Sequence, residues 1–365
     1  MADAPEYDIR HIEHPNPVPS ATREQAIADP GFGKLFTDHM VRIDWHEDKG
    51  WHDARLMARG PIELDPSASV LHYAQEIFEG LKAYRHADGS LALFRPEENA
   101  RRFNRSAARL AMPDLPEEAF LATIRALVLK DRDWFPSVEG GSLYIRPFMI
   151  ATEAFLGVRP AKEYAFMVIL SPAGGYFKSG APAISIRVGE HYTRAAPGGT
   201  GFAKCGGNYA ASLVPQGEAL ASGHDQVVFL DAVERRWVEE LGGMNLFFVF
   251  EDGRMVTPPL GDTILAGITR DSILTLAREE GLDVVEERYA IDQWRADAES
   301  GKLVETLACG TAAVVTPVGK VTAEDYSFEI GSGGPGQLTQ KLRERLVGIQ
   351  TGTVEDRHGW ITKLG

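Results

Sequence analysis

Cysteine, positive charge and long apolar runs are all scarce in this 365-residue chain. The two cysteines, Cys205 and Cys309, form no CxxC pair, which excludes a disulfide framework and a cysteine zinc site. The 52 acidic side chains outnumber 38 basic ones, and the net charge of −14 argues against nucleic acid or an anionic membrane as a partner. The densest apolar run, 165–170, is too short to cross a bilayer.

The composition is otherwise that of a soluble globular protein, with 44% hydrophobic and 25% charged residues. Two domains are favoured over one, because a single core stops growing at roughly 250–300 residues. The acidic, polar start MADAPEYDIRH is typical of neither a secretory signal nor an Arg-rich transit peptide. Together with the few cysteines, this leads us to expect a cytoplasmic protein.

Apolar periodicity predicts an α+β N-terminal domain over 1–172. Residues 1–30, rich in proline, are expected to form an irregular arm. The Gly- and Pro-rich stretch 173–183 is interpreted as an interdomain loop, and 184–365 as the C-terminal domain. The predicted elements are hairpins at 41–58, 80–94 and 245–258, helices at 97–110, 116–130, 208–221 (kinked at Pro215) and 269–280, and strands at 142–150, 163–170, 184–188 and 226–231.

The most unusual segment is APGGTGFAKCGGNYAAS (196–212), in which glycines surround Lys204 just before a predicted helix. Glycine lets a backbone approach a ligand closely, and a helix start offers unpaired N–H groups. A solvated surface loop is the alternative. A P-loop is excluded, because Cys205 follows the lysine where Ser or Thr is required.

Three further segments carry candidate chemistry. Glu240 precedes an apolar strand; it is either a solvated turn residue or a buried carboxylate that needs a cationic partner. Residues 267–269 begin an amphipathic helix, which indicates either a phosphate site or an ordinary cap with Thr269 as N-cap. In FRPEENARRFNRSAARL (94–110), one inward-facing arginine could hold a phosphate while the others are solvated. The histidine pairs 11/14 and 46/52 are interpreted as surface residues, so no metal is predicted.

Taken together, these segments resemble the branched-chain amino-acid aminotransferases, pyridoxal-phosphate enzymes of class IV and fold type IV. The motifs keep the family's order nearly end to end. They are FGKLFTDHM (32–40), LHYAQEIFEGLKAYR (71–85), LFRPEENARRFNRSAARL (93–110), SLYIRP (142–147), GTGFAKCGGNYAAS (199–212), EELGGMN (239–245), TPPLGDTILAGITR (257–270) and ACGTAAVVTPVG (308–319). The resemblance implies a small α+β domain, a larger pseudo-barrel α/β domain and a homodimer.

The resemblance also implies a role for each matching residue. Lys204 would bind pyridoxal 5′-phosphate (PLP) covalently and move the substrate Cα proton, and Glu240 would face the cofactor's pyridine nitrogen. The other implied cofactor contacts are Arg102, Tyr209, Leu265, Ile268, Thr269 and Thr311. The implied aromatic wall of the substrate site is Phe32, Tyr73, Phe78, Tyr144 and Tyr176.

On the substrate side, Tyr73 with the backbone N–H groups of Thr311 and Ala312 would hold the α-carboxylate. Arg146 would meet the distal carboxylate of glutamate or 2-oxoglutarate. Leu156 and Val158 match a loop that reaches the neighbouring subunit's pocket.

Two departures from family patterns restrict what the resemblance implies. Ala313 and Thr316 stand where some animal relatives have a redox CxxC, so thiol regulation of that kind is not expected. Gly243 replaces a hydroxyl residue that supports the cofactor in some members.

The implied reaction is reversible transamination of L-leucine, L-isoleucine and L-valine with 2-oxoglutarate. Within the same fold, a D-amino-acid aminotransferase or aminodeoxychorismate lyase is the alternative, although those relatives typically lack the 32–40 and 71–85 motifs. A catalytically silent scaffold is the alternative outside enzymology, and it would need neither Lys204 nor Glu240.

Overall fold

The computed structural model describes residues 7–174 and 183–364. They fall into two compact units. The first comprises Met1–Tyr176, Ala203–Gly206 and Ile349–Gly365, and the second comprises Phe177–Phe202 and Gly207–Gly348. Within the described ranges, no helix combines the length and apolar character needed to span a membrane.

The first unit is a mixed sheet covered by helices. Its strands are β1 (Arg10–His11), β2 (His39–His46), β3 (Gly50–Ala58), β4 (Glu76–Phe78), β5 (Leu81–Arg85), β6 (Leu91–Phe94), β7 (Ser142–Ala151), β8 (Glu163–Ala173) and β18 (Ile361–Lys363). Its helices are α1 (Ser20–Ile27), α2 (Ser69–Tyr73), α3 (Pro96–Arg109) and α4 (Glu117–Lys130), followed by a 3-10 turn at Arg132–Trp134. The strand order is β1-β3-β2-β8-β7-β5-β6-β18, and β4 pairs with β7.

Local patterning accounts for most of this unit. The two hairpins predicted for this part of the chain are confirmed as β2–β3 and β5–β6, both antiparallel. α3 and α4 turn their apolar stripes to the core, where Phe103 lies 5.5 Å from Phe120 and 5.5 Å from Phe166 between ring centroids. The expectation of a wholly irregular arm over 1–30 is wrong, since it contains α1. That helix buries only Ile27 and therefore has no apolar stripe to reveal it.

Two segments of the predicted C-terminal domain, 203–206 and 349–365, lie in the first unit. In the second case, β18 pairs antiparallel with β6, placing Ile361 opposite Phe94 and Lys363 opposite Ala92. This pairing joins residues more than 250 positions apart, so no local sequence pattern reveals it.

The second unit contains the predicted pseudo-barrel. Its strands are β9 (Ile184–Gly189), β10 (Gln226–Leu230), β11 (Val238–Leu241), β12 (Asn245–Phe250), β13 (Arg254–Thr257), β14 (Asp283–Glu286), β15 (Leu303–Gly310), β16 (Val314–Thr322) and β17 (Ser327–Glu329). The remaining helices of the described residues are α5 (Gly206–Ala210), α6 (Leu213–Ala221), α7 (Ile268–Glu279), α8 (Ile291–Ser300) and α9 (Gln337–Thr351). The order β11-β10-β9-β16-β15-β12 closes on itself, because β11 also pairs with β12.

The predicted kinked helix over 208–221 is instead two helices, α5 and α6, separated at 211–212. Pro215 is the third residue of α6. In the first turn its missing N–H costs nothing, because that group has no intrahelical partner. The predicted helix 269–280 is confirmed as α7, and Gly281 follows it with φ +85°.

Candidate active site

The predicted site residues fall in both units, and each group is described within its own unit. Tyr176 lies outside the described residues. In the first unit are Phe32, Tyr73, Phe78, Arg102, Tyr144, Arg146, Leu156, Val158 and Lys204, and in the second are Tyr209, Glu240, Leu265, Ile268, Thr269, Thr311 and Ala312.

Arg102 forms a buried ion pair with Glu79, which follows β4; their side chains are 5% and 0% exposed. Arg102 donates from Nε to Oε1 at 2.7 Å and from Nη2 to Oε2 at 2.8 Å. Asn99, three residues before Arg102 on α3, donates to Oε2 at 2.7 Å. Burial opposes ionisation, but the charge and hydrogen bonds of Arg102, with the charge of Lys204, lower the pKa of Glu79.

The backbone of Lys204 is held by α3 and β4. Its N–H donates to the Ser106 hydroxyl at 2.9 Å, and that hydroxyl donates to the Arg102 carbonyl at 3.0 Å. The Phe78 N–H donates to the Lys204 carbonyl at 3.0 Å. The Lys204 Nζ lies 4.9 Å from the centroid of the Phe78 ring. The N–H and the carbonyl on the two sides of the Lys204 Cα are therefore both hydrogen-bonded, which fixes the point from which its side chain extends.

Four of the predicted substrate-site residues form one cluster. The rings of Phe32 and Tyr144 meet edge to face at 5.1 Å between centroids. The Arg146 guanidinium carbon lies 4.8 Å from the Phe78 ring centroid and 5.4 Å from that of Tyr144. Arg146 also donates to the Tyr144 hydroxyl at 2.9 Å. A Cβ on Gly80 would lie 2.2 Å from that hydroxyl, so glycine is needed for Tyr144 to occupy this place.

Tyr73, Leu156 and Val158 lie at the surface, with exposures of 39%, 61% and 87%. The Tyr73 hydroxyl donates to the backbone carbonyl of Leu156. A phenol has a single proton to donate, so Tyr73 would have to release Leu156 before donating to a substrate carboxylate.

Glu76, the first residue of β4, is another carboxylate of this unit and is half-buried beside the lysine segment. Burial raises its pKa, while a hydrogen bond from the Gly206 N–H and the charge of Arg146 act in the opposite direction. A Cβ on Gly206 would lie 1.7 Å from the Glu76 Oε1, so the close approach of these two residues requires glycine.

In the second unit, Glu240 is a buried carboxylate on β11, 2% exposed. Its Oε1 lies 2.9 Å from Arg194 Nη1 and accepts from the Leu265 N–H at 3.2 Å. Its Oε2 accepts from the Asn245 amide at 3.1 Å. The sequence indicated that a buried Glu240 needs a cationic partner. It did not identify Arg194 as one, and the structure shows that pair. These three donors stabilise a negative charge on Glu240.

α7 begins at Ile268 with Gly267 as its N-cap, so the alternative with Thr269 as N-cap is wrong. Gly267 has no side chain to bond the first N–H groups, and a Cβ there would lie 2.1 Å from Asn245 Oδ1. Since the first N–H groups of a helix have no partner inside it and carry its positive dipole end, this terminus suits an anion.

The remaining predicted contacts of the second unit lie on short connections. Thr311 and Ala312 form part of the turn between β15 and β16. Tyr209 lies on α5, and a Cβ added at Gly243 would be 3.9 Å from its Cε1, an ordinary contact. Gly243 therefore leaves room beside Tyr209 that a hydroxyl residue would fill.

These side chains have the chemistry that PLP requires. An amine, Lys204, suits its aldehyde, and the buried carboxylate of Glu240 suits a protonated pyridine nitrogen. In the first unit the guanidinium of Arg102 has the charge that suits a phosphate, and in the second unit the start of α7 has N–H groups that suit an anion. The described residues of both units contain no group of three or more His, Cys, Asp or Glu side chains that could hold a metal ion.

Sequence reasoning missed five residues of this arrangement: Asn99, Ser106, Glu79, Glu76 and Arg194. Part of the signal was present, because Asn99 and Ser106 lie three residues before and four after Arg102 and so share its helix face. All three are buried, whereas Arg101, Arg105 and Arg109 of α3 are exposed.

Comparisons with known proteins agree with this chemistry. The family model described as amino-transferase class IV matches residues 76–321. The branched-chain-amino-acid aminotransferase of Mycolicibacterium smegmatis is 56% identical over 353 residues, covering 96% of each chain. The structure of the branched-chain amino acid aminotransferase from Escherichia coli matches with a TM-score of 0.71 at 28% identity, covering 89% of this chain and 99% of that one.

A further solved structure is the T.th. branched-chain amino acid aminotransferase complexed with N-(5′-phosphopyridoxyl)-L-glutamate. It matches with a TM-score of 0.71 at 31% identity, covering 88% of this chain and 98% of that one. The family match, the full-length relatives and the shared fold lead to one conclusion: the chain belongs to the class IV aminotransferase family and, within it, to the branched-chain-amino-acid aminotransferases.

Proposed function

We propose that this enzyme uses PLP to transfer the amino group reversibly between L-leucine, L-isoleucine or L-valine and 2-oxoglutarate, giving the branched-chain 2-oxo acids and L-glutamate. The observation that carries the substrate assignment is the position of Arg146, a cation held against the Phe78 and Tyr144 rings. An apolar wall suits a branched aliphatic side chain, and a guanidinium in that wall suits a second carboxylate. The relatives named above, including the T.th. enzyme complexed with a phosphopyridoxyl-glutamate, support the same assignment.

When bound, PLP supplies an electron-withdrawing ring that stabilises negative charge at the substrate Cα. The Lys204 amine would act as a base and remove the proton from that Cα. The protonated amine would then act as an acid and donate the proton to C4′ of the cofactor. The backbone bonds of Lys204 to Ser106 and Phe78 keep the amine in a constant position. Glu240 keeps a proton on the pyridine nitrogen, because a carboxylate neutralises the charge that this proton adds.

Arg146 selects the substrates that carry a distal carboxylate. For leucine, isoleucine and valine, the Tyr144 hydroxyl at 2.9 Å keeps Arg146 hydrogen-bonded when no substrate carboxylate is present. This partner reduces the desolvation cost of placing an isobutyl group near a cation. In the first unit, the Tyr73 hydroxyl donates to the α-carboxylate that every substrate shares, once it has released the Leu156 carbonyl.

The assignment is tested by Lys204→Ala, with the exposed Lys320→Ala as the matched control. We expect Lys204→Ala to abolish turnover and the visible absorption band of covalently held PLP, and Lys320→Ala to keep both. Full activity of Lys204→Ala would refute the mechanism. Bleaching of the wild-type band by D-leucine but not L-leucine would instead indicate a D-amino-acid aminotransferase. The absence of a band and of turnover in the wild type would indicate the non-catalytic scaffold.

The assembly is proposed to be a homodimer in the cytoplasm. Leu71, Leu156 and Val158 expose 57%, 61% and 87% of their surfaces on the first unit, which supports contact with a second subunit. Cys205 and Cys309 are both free and buried, which is consistent with a reducing compartment. Light scattering of the purified protein measures the first property, and fractionation of the source cells measures the second.

A further inference from the structure

We propose that Glu79 is a positioning residue for the cofactor phosphate: its buried carboxylate holds the Arg102 guanidinium so that the other edge of that guanidinium receives the phosphate. The inference rests on the proposed function, since it requires PLP as the ligand. Nothing in the comparisons or in the sequence motifs assigns Glu79 a role.

The first argument is the way in which the pair is formed. Glu79 engages Arg102 from the side, through Nε and Nη2 at 2.7 and 2.8 Å. A guanidinium has five N–H donors in one plane, and the pairing with Glu79 engages two of them. One arginine can therefore bind a carboxylate on one edge and a phosphate on another. The two bonds also prevent rotation of the guanidinium plane.

The second argument is that Glu79 is itself held firmly. Asn99 donates to its Oε2 at 2.7 Å, and the Gly80 N–H donates to the same oxygen at 3.2 Å. Four donors converge on this carboxylate, which is about as many as its lone pairs accept. Glu79 therefore acts through Arg102 rather than by contacting substrate or cofactor.

The third argument is the cost of the arrangement. Both side chains are almost completely removed from water, at 0% and 5% exposure. Buried ion pairs contribute little net stability compared with apolar residues of similar volume. A buried pair is therefore better explained by a task that needs a charge in a defined orientation. A dianionic phosphate is a ligand that needs such a charge.

The test separates the phosphate from the rest of the cofactor. PLP is dialysed from the holoenzyme, and the dissociation constants of PLP and of pyridoxal, which lacks the phosphate, are measured by absorption titration. We expect Glu79→Gln to weaken PLP by about tenfold or more, the effect of losing one charge-assisted hydrogen bond. Pyridoxal affinity should change by less than about threefold. The matched control is Glu153→Gln, which breaks another two-bond carboxylate–arginine pair of the first unit, that with Arg159, and should leave the ratio of the two constants unchanged.

Equal weakening of PLP and pyridoxal by Glu79→Gln would overturn the proposal, because a general structural role affects both ligands alike. If that variant does not fold, Asn99→Ala decides the question, since it keeps both charges and removes one restraint on Glu79. A loss confined to PLP supports the proposal, and an equal or absent loss overturns it. If wild-type protein shows no preference for PLP over pyridoxal, the proposed function fails instead.

Discussion

Replacing Arg146 with methionine should separate the two kinds of substrate. The guanidinium lies 4.8 Å from the Phe78 ring centroid and donates to Tyr144 at 2.9 Å, so it is positioned before any substrate arrives. A hydrogen bond between charged groups contributes about 1.5–3 kcal/mol, which corresponds to about 10- to 100-fold in affinity. Methionine keeps the apolar length of the side chain. We therefore expect kcat/KM for 2-oxoglutarate to fall by about 10- to 100-fold and that for L-leucine to change by about threefold or less.

The two half-reactions are measured separately, by following the cofactor absorption of the pyridoxal form after mixing with L-leucine and of the pyridoxamine form after mixing with 2-oxoglutarate. Tyr144→Phe is the matched variant, because it keeps the ring and removes the hydroxyl that Arg146 bonds. It should reduce the 2-oxoglutarate rate by a smaller factor, about three- to tenfold. Equal losses for leucine and 2-oxoglutarate in Arg146→Met would refute the assignment of the distal carboxylate to Arg146.

Two further predictions concern β4 and the lysine segment. Gly206→Ala should lower the free energy of unfolding by about 1–3 kcal/mol, because the new Cβ would lie 1.7 Å from Glu76 Oε1. Gly207→Ala is the control, because its Cβ would meet no atom within 4 Å and should leave the free energy of unfolding unchanged. Equal unfolding midpoints of the two variants in urea would contradict this prediction. Burial raises the pKa of Glu76 above 4.5, so the folded chain retains a proton that the unfolded chain releases, and the associated stability is lost as the pH rises through the folded pKa. The glutamine of Glu76→Gln has no proton to lose in this pH range, so the Tm of this variant minus the Tm of wild type should increase as the pH rises above 4.5. A difference in Tm that does not change with pH would exclude this linkage.

The resemblance of whole motifs, more than any single residue, made the family and the cofactor predictable from the sequence. Lys204 and Glu240 each had a plausible alternative as a solvated residue when considered alone. Elements with a strong local signal were predicted closely, including α3, α4 and the β2–β3 hairpin. α1 was missed because it buries only Ile27, and amphipathic periodicity is the signal on which helix prediction depends.

The sequence by itself determined the local elements, the family and the identity of the reactive side chains, because periodicity, turn residues and motifs are properties of neighbouring positions. Only the tertiary structure decided how those side chains are paired. The partner of Arg102 is Glu79, 23 residues away, and the partner of Glu240 is Arg194, 46 residues away. It also placed Lys204 against Ser106 and Phe78 in the first unit. A buried charge needs an opposite charge beside it, and the fold can supply that partner from a distant part of the chain. No local sequence pattern therefore predicts which residue the partner is.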